Sequence, residues 1–179
     1  MKHSTVFHLI ADIFKKTQVS CVLIGGFAVN YYKATRHTAD VDFLVTEEDF
    51  AKVLPLFVKE GYAQILKEKL FARLENNRGD QMSIDFMFIG KGTLNNIVKD
   101  GKKVKIADQE FMLPSLYNLI ALKLHSIKNN PKPRLLTDLP DIINLAQINN
   151  VDVKNNEFKE LCLKYGTEEL YKKILDYCA

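Results

Sequence analysis

A chain of 179 residues is long enough to bury a hydrophobic core and corresponds to one compact unit. Hydrophobic residues make up 47% and charged residues 26%, with eight glycines and five prolines, which excludes collagen-like, low-complexity and disordered classes. The net charge of +3 is too small to indicate nucleic-acid or membrane binding by itself.

The cysteines and the first residues indicate a cellular compartment. The three cysteines lie far apart, with no Cys-x-x-Cys spacing and no histidine pair at zinc-finger spacing, so neither a disulfide framework nor a zinc site is predicted. The N-terminal residues lack the apolar core and cleavage site of a signal peptide, and no apolar run approaches the roughly 18 residues that span a bilayer. We expect a cytoplasmic protein with no membrane partner. The cysteines are Cys21, Cys162 and Cys178.

The first part of the chain alternates between helical and strand patterns. Apolar residues recur at helical spacing, and a β-branched run then ends at two glycines. A short helical pattern and a second strand follow, and Thr46 with Asp49 predicts the start of another helix. The predicted elements are a helix over 6–17, a strand over 19–24, a helix over 27–34, a strand over 39–45 and a helix over 47–60.

The rest of the chain passes from strands to helices. Three strand patterns are followed by a short helix, a further strand and a strong helix that Pro114 begins. The stretch KNNPKPR then predicts a break before a helical tail. We therefore predict an α+β fold, with an α/β core over 1–130 and a helical extension of the same unit over 131–179. The predicted strands are 61–68, 69–76, 82–89 and 102–107, and the predicted helices are 93–100, 114–127, 138–148 and 157–177.

Asp40 and Asp42 stand two residues apart in a predicted strand. Their carboxylates leave the same face, with Cα atoms about 6.6 Å apart, so the two can share divalent cations. The spacing alone is weak, because acids with the same spacing occur at 47/49 and 108/110. What distinguishes the first pair is its place at the start of an apolar strand, where an unpaired charge is unfavourable. A solvated strand start is the alternative for the pair taken alone.

Gly25 and Gly26 follow a predicted buried strand and precede a predicted helix. Backbone N–H groups at such a turn can hold an anion such as a phosphate. The pattern matches neither GxGxxG nor GxxxxGK[ST], so it predicts neither a Rossmann site nor a P-loop. A plain tight turn is the alternative.

Asp85 stands in the middle of a predicted strand, on the face opposite Ile84 and Phe86. A carboxylate in that position needs solvent, a hydrogen-bonded partner or a metal. Both an exposed sheet face and a metal site satisfy this requirement.

Lys123 falls on the buried stripe of its predicted helix. A lysine there either binds an anion such as a phosphate or extends its ammonium group to solvent. Arg134 and Asp138 follow it; the acid can favour a helix start, and the arginine can be surface charge.

In this order, the residues resemble a known family. The segment IGGFAVNYYKATRHTADVDFLV, with 13 residues between Gly26 and Asp40, is similar to the signature of the polymerase-beta-type nucleotidyltransferase superfamily. Its Arg-x-Thr-x-Asp-x-Asp pattern, together with LIALKLHSI and RLLTDLPDII, most resembles the minimal AbiE toxin-type transferases of type IV toxin-antitoxin pairs. The resemblance covers most of residues 20–148 and implies a nucleotidyltransferase-like mixed, twisted sheet flanked by helices.

The resemblance also implies a reaction. Asp40, Asp42 and Asp85 would bind two Mg²⁺ ions, and Asp85 would help to deprotonate an acceptor hydroxyl. The hydroxyl would attack the α-phosphate of a nucleoside triphosphate in line, and pyrophosphate would leave. Transfer of a nucleoside monophosphate is favoured over hydrolysis, because no histidine or glutamate resembles a water-activating base.

The remaining family positions would hold the nucleotide. Gly25 and Gly26 would hold its phosphates, and Lys123 would pair with the triphosphate. Arg36 would steady either the loop before the acids or the phosphates, and Asp138 would orient either Lys123 or the acceptor. These roles follow from the resemblance and not from the spacing of the residues.

Three functional alternatives and several partners stay open. Thr137 stands where the family commonly has lysine, which favours a catalytically inactive binding module, whereas the three retained acids favour the enzyme. A metal-dependent phosphohydrolase is the third class. The resemblance implies a nucleoside triphosphate as substrate and tRNA or another RNA, a protein or a small molecule as acceptor, with a cognate antitoxin as a partner.

Overall fold

A computed structural model describes residues 4–178, so residues 1–3 and 179, the ends of the two predicted ranges, lie outside it. Within the described residues the chain forms eight helices and seven strands. The helices are α1 (Val6–Thr17), α2 (Gly25–Tyr31), α3 (Glu47–Lys59), α4 (Lys91–Asp100), α5 (Leu116–Asn129), α6 (Pro131–Ile148), α7 (Asn156–Tyr165) and α8 (Glu168–Cys178). The strands are β1 (Val22–Leu23), β2 (Asp40–Val45), β3 (Tyr62–Lys67), β4 (Phe71–Asn76), β5 (Ser83–Phe88), β6 (Lys102–Ile106) and β7 (Gln109–Leu113).

Five of the strands form one mixed sheet in the order β1-β2-β5-β4-β3. Strands β2 and β5 are parallel, and the other neighbouring pairs are antiparallel. Strands β6 and β7 form a separate two-stranded sheet. This arrangement confirms the predicted α+β class with a mixed sheet.

Two compact units divide the chain. The first comprises the chain up to Phe27 together with His37–Pro114, and the second comprises Ala28–Arg36 together with the chain from Ser115 onward. The predicted boundary at residue 130 therefore falls inside the second unit, because α5 packs against α6 and α7. The membership of residues 28–36 in the second unit cannot be predicted from composition, since that segment is as apolar as its neighbours.

The core of the first unit lies against one face of the five-stranded sheet. Phe43 of β2 stacks on Phe86 of β5 at 6.1 Å between ring centroids, and Phe14 of α1 meets Phe43 edge-on at 5.0 Å. Phe57 of α3 also contacts Phe86 edge-on, at 5.8 Å between ring centroids. Because neighbouring strand residues point to opposite faces, this packing turns the acids beside Phe43 and Phe86 to the other face.

Two helices of the C-terminal part differ from their predicted ranges, which were 138–148 and 157–177. KNNPKPR is not an extended break: Asn130 separates α5 from α6, which already begins at Pro131. Proline is favoured in a first turn, where its missing N–H is not needed. The predicted helix over 157–177 is two helices, because Gly166 closes α7 with its N–H bonded to the Cys162 carbonyl at 2.8 Å.

Strand β7 was not predicted. Its residues pair with β6 in register from Lys102↔Leu113 to Ile106↔Gln109, across a turn at Ala107 and Asp108. That turn lacks glycine, so the usual sequence signal for a hairpin is absent.

Among the described residues, no helix combines the length and apolar character needed to cross a membrane.

Candidate active site

Three carboxylates meet on the face of the sheet opposite the aromatic core. Asp40 and Asp42 belong to β2, and Asp85 lies directly opposite Asp42 on the parallel strand β5. One oxygen from each carboxylate lies within 4.8 Å of the other two. Asp85 is only 5% exposed, whereas the two β2 acids are half-buried. The structure therefore brings the three predicted acids into one cluster.

Apolar neighbours fix the direction of these carboxylates. Val41 and Phe43 flank Asp42 along β2 and are fully buried, as are Ile84 and Phe86 on either side of Asp85. A slip of either strand by one residue would move these apolar side chains to the face that carries the acids. The hydrophobic pattern thus sets the register that juxtaposes the acids.

Arg73 completes the cluster and was not among the predicted site residues. It lies opposite Asp85 on β4 and donates to both carboxylate oxygens, from Nε to Oδ1 at 2.7 Å and from Nη2 to Oδ2 at 2.6 Å. Nη2 also lies 3.2 Å from Oδ2 of Asp40. The hydrogen bond to Asp85, with the charges of Asp85 and Asp40, raises the pKa of Arg73, so the guanidinium stays protonated.

A weak signal for Arg73 is present in the sequence. The pattern of FARLEN puts Arg73 on the face opposite Ala72 and Leu74, which are buried. That alternation places the arginine on a polar face, but its partner depends on the pairing of β4 with β5. Strand pairing is non-local and cannot be derived from one strand's own residues.

The glycine turn lies against the same acids. The N–H of Ile24 bonds to the Asp42 carbonyl at 2.9 Å, which fixes the end of β1 beside β2. Gly25 has φ +62°, and a Cβ there would overlap the Asp42 carboxylate. A Cβ on Gly26 would likewise overlap the Thr38 side chain. Both glycines are required by close approach, so the turn is more than a flexible connection.

Thr38 links the glycine turn to the acid strand. Its hydroxyl lies 3.3 Å from the Asp40 carbonyl and 3.4 Å from Asp40 Oδ1. The threonine of the Arg-x-Thr-x-Asp-x-Asp pattern thus contacts both Gly26, by close packing, and the first acid.

The other predicted residues form a buried ionic network in the second unit. Lys123 of α5 is 6% exposed, and its Nζ donates to Asp138 Oδ1 at 2.9 Å and Asp141 Oδ2 at 2.7 Å. Nε of Arg36 donates to Asp141 at 3.1 Å, and Nη1 of Arg134 lies 3.8 Å from Asp138. Of the predicted residues, Lys123 and Asp138 therefore pair directly, and Arg36 joins them through Asp141.

Asp141 joins this network without having been predicted. It stands three residues after Asp138 on α6, so the two carboxylates share a helix face toward Lys123. The spacing in DLPDII was the available signal. Buried charges need such mutual pairing, because an unpaired ion away from water is strongly unfavourable. Thr137, on the other hand, is exposed.

A sequence model of the family described as "Nucleotidyl transferase AbiEii toxin, Type IV TA system" matches residues 9–176. The chain belongs to this family. It is accordingly a nucleotidyltransferase, as the sequence resemblance implied. No curated protein sequence matches the chain significantly.

Solved structures show the same fold at low identity. The lincosamide antibiotic adenylyltransferase LnuA, bound to lincomycin, is 18% identical with a TM-score of 0.54, covering 78% of this chain and 93% of its own. An antigenic nucleotidyltransferase-like protein from Paracoccidioides brasiliensis is 14% identical with a TM-score of 0.58, covering 94% and 86%. The antibiotic-resistance factor ANT(2'')-Ia is 12% identical with a TM-score of 0.56, covering 93% and 85%.

The donor set of this AbiEii chain fits a divalent metal ion. Asp40, Asp42 and Asp85 offer only carboxylate oxygens, which are the ligands that Mg²⁺ prefers, and the oxygens are close enough to share ions. Among the described residues, no other group of three or more such ligands converges in this way.

Proposed function

We propose that this AbiEii chain is a Mg²⁺-dependent transferase that moves a nucleoside monophosphate from a nucleoside triphosphate to an acceptor hydroxyl. A bond forms between the acceptor oxygen and the α-phosphorus, the bond to the β-phosphate oxygen breaks, and pyrophosphate leaves. The single observation that carries the proposal is the convergence of three carboxylates within 4.8 Å.

Each acid has a separate task in this proposal. Asp40 and Asp42 hold the metal ions from β2, and Asp85 completes the site from β5 and accepts the proton of the attacking hydroxyl. Bound Mg²⁺ supplies positive charge that stabilises the attacking and leaving oxygens. The place of Asp85 directly opposite Asp42 supports its part in the metal site, and its use as a base requires that Arg73 release one of its oxygens.

Phosphate binding is proposed for Gly25, Gly26, Arg36 and Lys123. The close packing of the two glycines against Asp42 and Thr38 supports phosphate binding next to the acid strand. Arg36 is 40% exposed on its side chain, which supports contact with a solvated triphosphate. Lys123 is proposed as a phosphate partner on the family resemblance alone, with Asp138, which accepts a hydrogen bond from its Nζ at 2.9 Å, orienting it.

The acceptor and the toxin role are proposals of the same kind. The family description supports a toxin paired with an antitoxin, and we propose tRNA or another cellular RNA as the acceptor. LnuA is described as an adenylyltransferase for a lincosamide antibiotic, which supports a small molecule as the alternative acceptor; a protein hydroxyl is the third. A cytoplasmic location is proposed because the three cysteines are free thiols.

The test is incubation of the purified protein with each α-labelled nucleoside triphosphate and Mg²⁺, with and without total tRNA. D40N/D42N removes two metal-binding charges without changing side-chain volume. D108N/E110Q makes the same charge change at the β6–β7 turn of the same unit, and serves as the matched control. We expect label to enter RNA with the wild type and the control but not with D40N/D42N.

Each other outcome changes the conclusion. Pyrophosphate release without labelled RNA would contradict the RNA acceptor and favour the small molecule. Equal transfer by D40N/D42N would contradict the proposed site. Neither transfer nor pyrophosphate release with any nucleotide would contradict the enzyme and favour the inactive binding module, which Thr137 also favours.

A further inference from the structure

Arg73 already occupies the carboxylate that a metal ion would need. Both oxygens of Asp85 accept a short hydrogen bond from its guanidinium, at 2.6 and 2.7 Å, in the two-pronged geometry that gives the strongest arginine–carboxylate pairs. The same guanidinium reaches Asp40 at 3.2 Å. It therefore spans both strands that contribute acids.

The charges define what Arg73 does to a metal site. The three carboxylates carry three negative charges, and the guanidinium neutralises one of them. A cation bound to Asp40 and Asp85 would be repelled by the guanidinium and would compete with it for the same oxygens, in a setting where Asp85 is shielded from water. Residues that merely orient a metal ligand raise metal affinity, whereas a competing cation lowers it.

We infer that Arg73 is a positioning residue that acts as a resident counter-cation, holding Asp85 and Asp40 in place and lowering the affinity of the acid cluster for divalent metal. The inference rests on the proposed metal-dependent function. It follows that the metal-binding acids stay ordered before any ion is bound. It also follows that the protein takes up metal weakly until the negative charge of a triphosphate joins the site.

The inference is tested by whether the removal of the Arg73 charge raises or lowers the affinity for a divalent metal ion. Binding of Mn²⁺ to the wild type and to R73Q is measured by isothermal titration calorimetry without nucleotide. We expect R73Q to bind Mn²⁺ about tenfold more tightly, because the opposing charge is removed. An ordinary orienting partner would give the opposite result, a loss of about 10- to 100-fold on substitution.

Two variants serve as controls. R73K loses the two-pronged hydrogen bond but keeps the positive charge that opposes a cation, so we expect its Mn²⁺ affinity to stay closer to that of the wild type than to that of R73Q. R78Q makes the same residue change in the exposed turn after β4, and we expect no change in affinity. Because R73Q leaves a buried carboxylate without its arginine, the Mn²⁺-induced rise in Tm is measured in parallel and reports metal binding even if the variant is less stable.

Weaker or unchanged Mn²⁺ binding by R73Q, in both measurements, would overturn the inference and leave the metal site intact. Absence of Mn²⁺ binding by every variant and by the wild type, with and without a nucleoside triphosphate, would overturn the proposed function along with it. The two failures are therefore distinguishable.

Discussion

Gly25 illustrates how one backbone position can decide whether the site forms. Its φ of +62° lies in the left-handed region, and its α-carbon packs so closely on Asp42 that no side chain fits. Gly79 has almost the same backbone conformation, φ +66°, but open space where a Cβ would be. Gly79 is required only by its backbone conformation, whereas Gly25 is required both by its backbone conformation and by its close packing on Asp42.

We predict that G25A loses about 100-fold or more in nucleotidyl transfer, because a displaced Asp42 misplaces the metal site. G79A should keep the wild-type activity, although both variants lose about 1–2 kcal/mol of stability from the unfavourable φ. Transfer rates and urea unfolding of both proteins provide the measurement. Equal activity of G25A and G79A would show that the close approach to Asp42 has no catalytic consequence.

From the residues alone the three acids were candidates, because Asp40 and Asp42 stand at the start of an apolar strand and Asp85 stands within one. Their metal-binding role was predicted only through the family resemblance, and Arg73 was not a candidate. Arg73 stands in a strand of mixed character, where an arginine is unremarkable without its neighbour. Its significance comes from a register position opposite Asp85, which only the paired sheet supplies.

At the scale of elements, strand order determines which residues meet. Strands β2 and β5 are separated in sequence by α3, β3 and β4, yet they lie side by side and parallel. The sequence predicted both of these strands and the start of α3. The structure confirms the Thr46 cap, whose hydroxyl accepts the Asp49 N–H at 3.1 Å. The pairing was predictable only through the family resemblance, because contacts between distant strands leave no local pattern.

The start of β3 is joined to the segment before β5 by a buried tyrosine. Tyr62 is 1% exposed, and its hydroxyl donates to the Met82 carbonyl at 3.0 Å. Burial, with the charge of Asp80 adding to it, raises the pKa of Tyr62 to about 12. A phenol with a raised pKa in the folded state stabilises the fold below pH 10, and this contribution is lost as the pH rises toward 12.

We predict that Y62F loses about 1 kcal/mol of unfolding free energy at neutral pH, through the missing hydrogen bond. Between about pH 10 and pH 12 the wild type should lose stability more steeply than Y62F, because only the wild type must ionise this phenol on unfolding. Urea unfolding across that range measures the difference, with Y177F at an exposed tyrosine as control. Parallel pH profiles would contradict the buried ionisation.

At the scale of the whole molecule, the chain is two units with different chemistry. The first holds the acid cluster, and the second holds an ionic network around Lys123. Lys123 falls on the buried stripe of α5, and both of its carboxylate partners, Asp138 and Asp141, come from α6. Asp141 in turn accepts from Arg36, which lies 105 residues earlier in the chain. Predicting the network required knowing that 28–36 belongs with the C-terminal helices.

We predict that K123M loses about 3–5 kcal/mol of unfolding free energy, because it leaves Asp138 and Asp141 buried without their shared cation. K128M, at an exposed position of the same helix, should change the stability by less than about 0.5 kcal/mol. Chemical denaturation measures both. A loss below about 1 kcal/mol for K123M would mean that the acids find other partners and that the lysine is held for binding and not for stability.

The membership of residues 28–36 in the second unit bears on how the protein is made. The segment between the glycine turn and the acids is synthesised early, but Tyr32 and Arg36 are held by Asn149 and Asp141, more than 100 residues later. A nascent chain whose acid-bearing strands have already left the ribosome still lacks the partners of this segment. Residues 28–36 therefore have all of these partners only after Asn149 has been synthesised, and a chain truncated after α5 has its acids present and the segment before them unsupported.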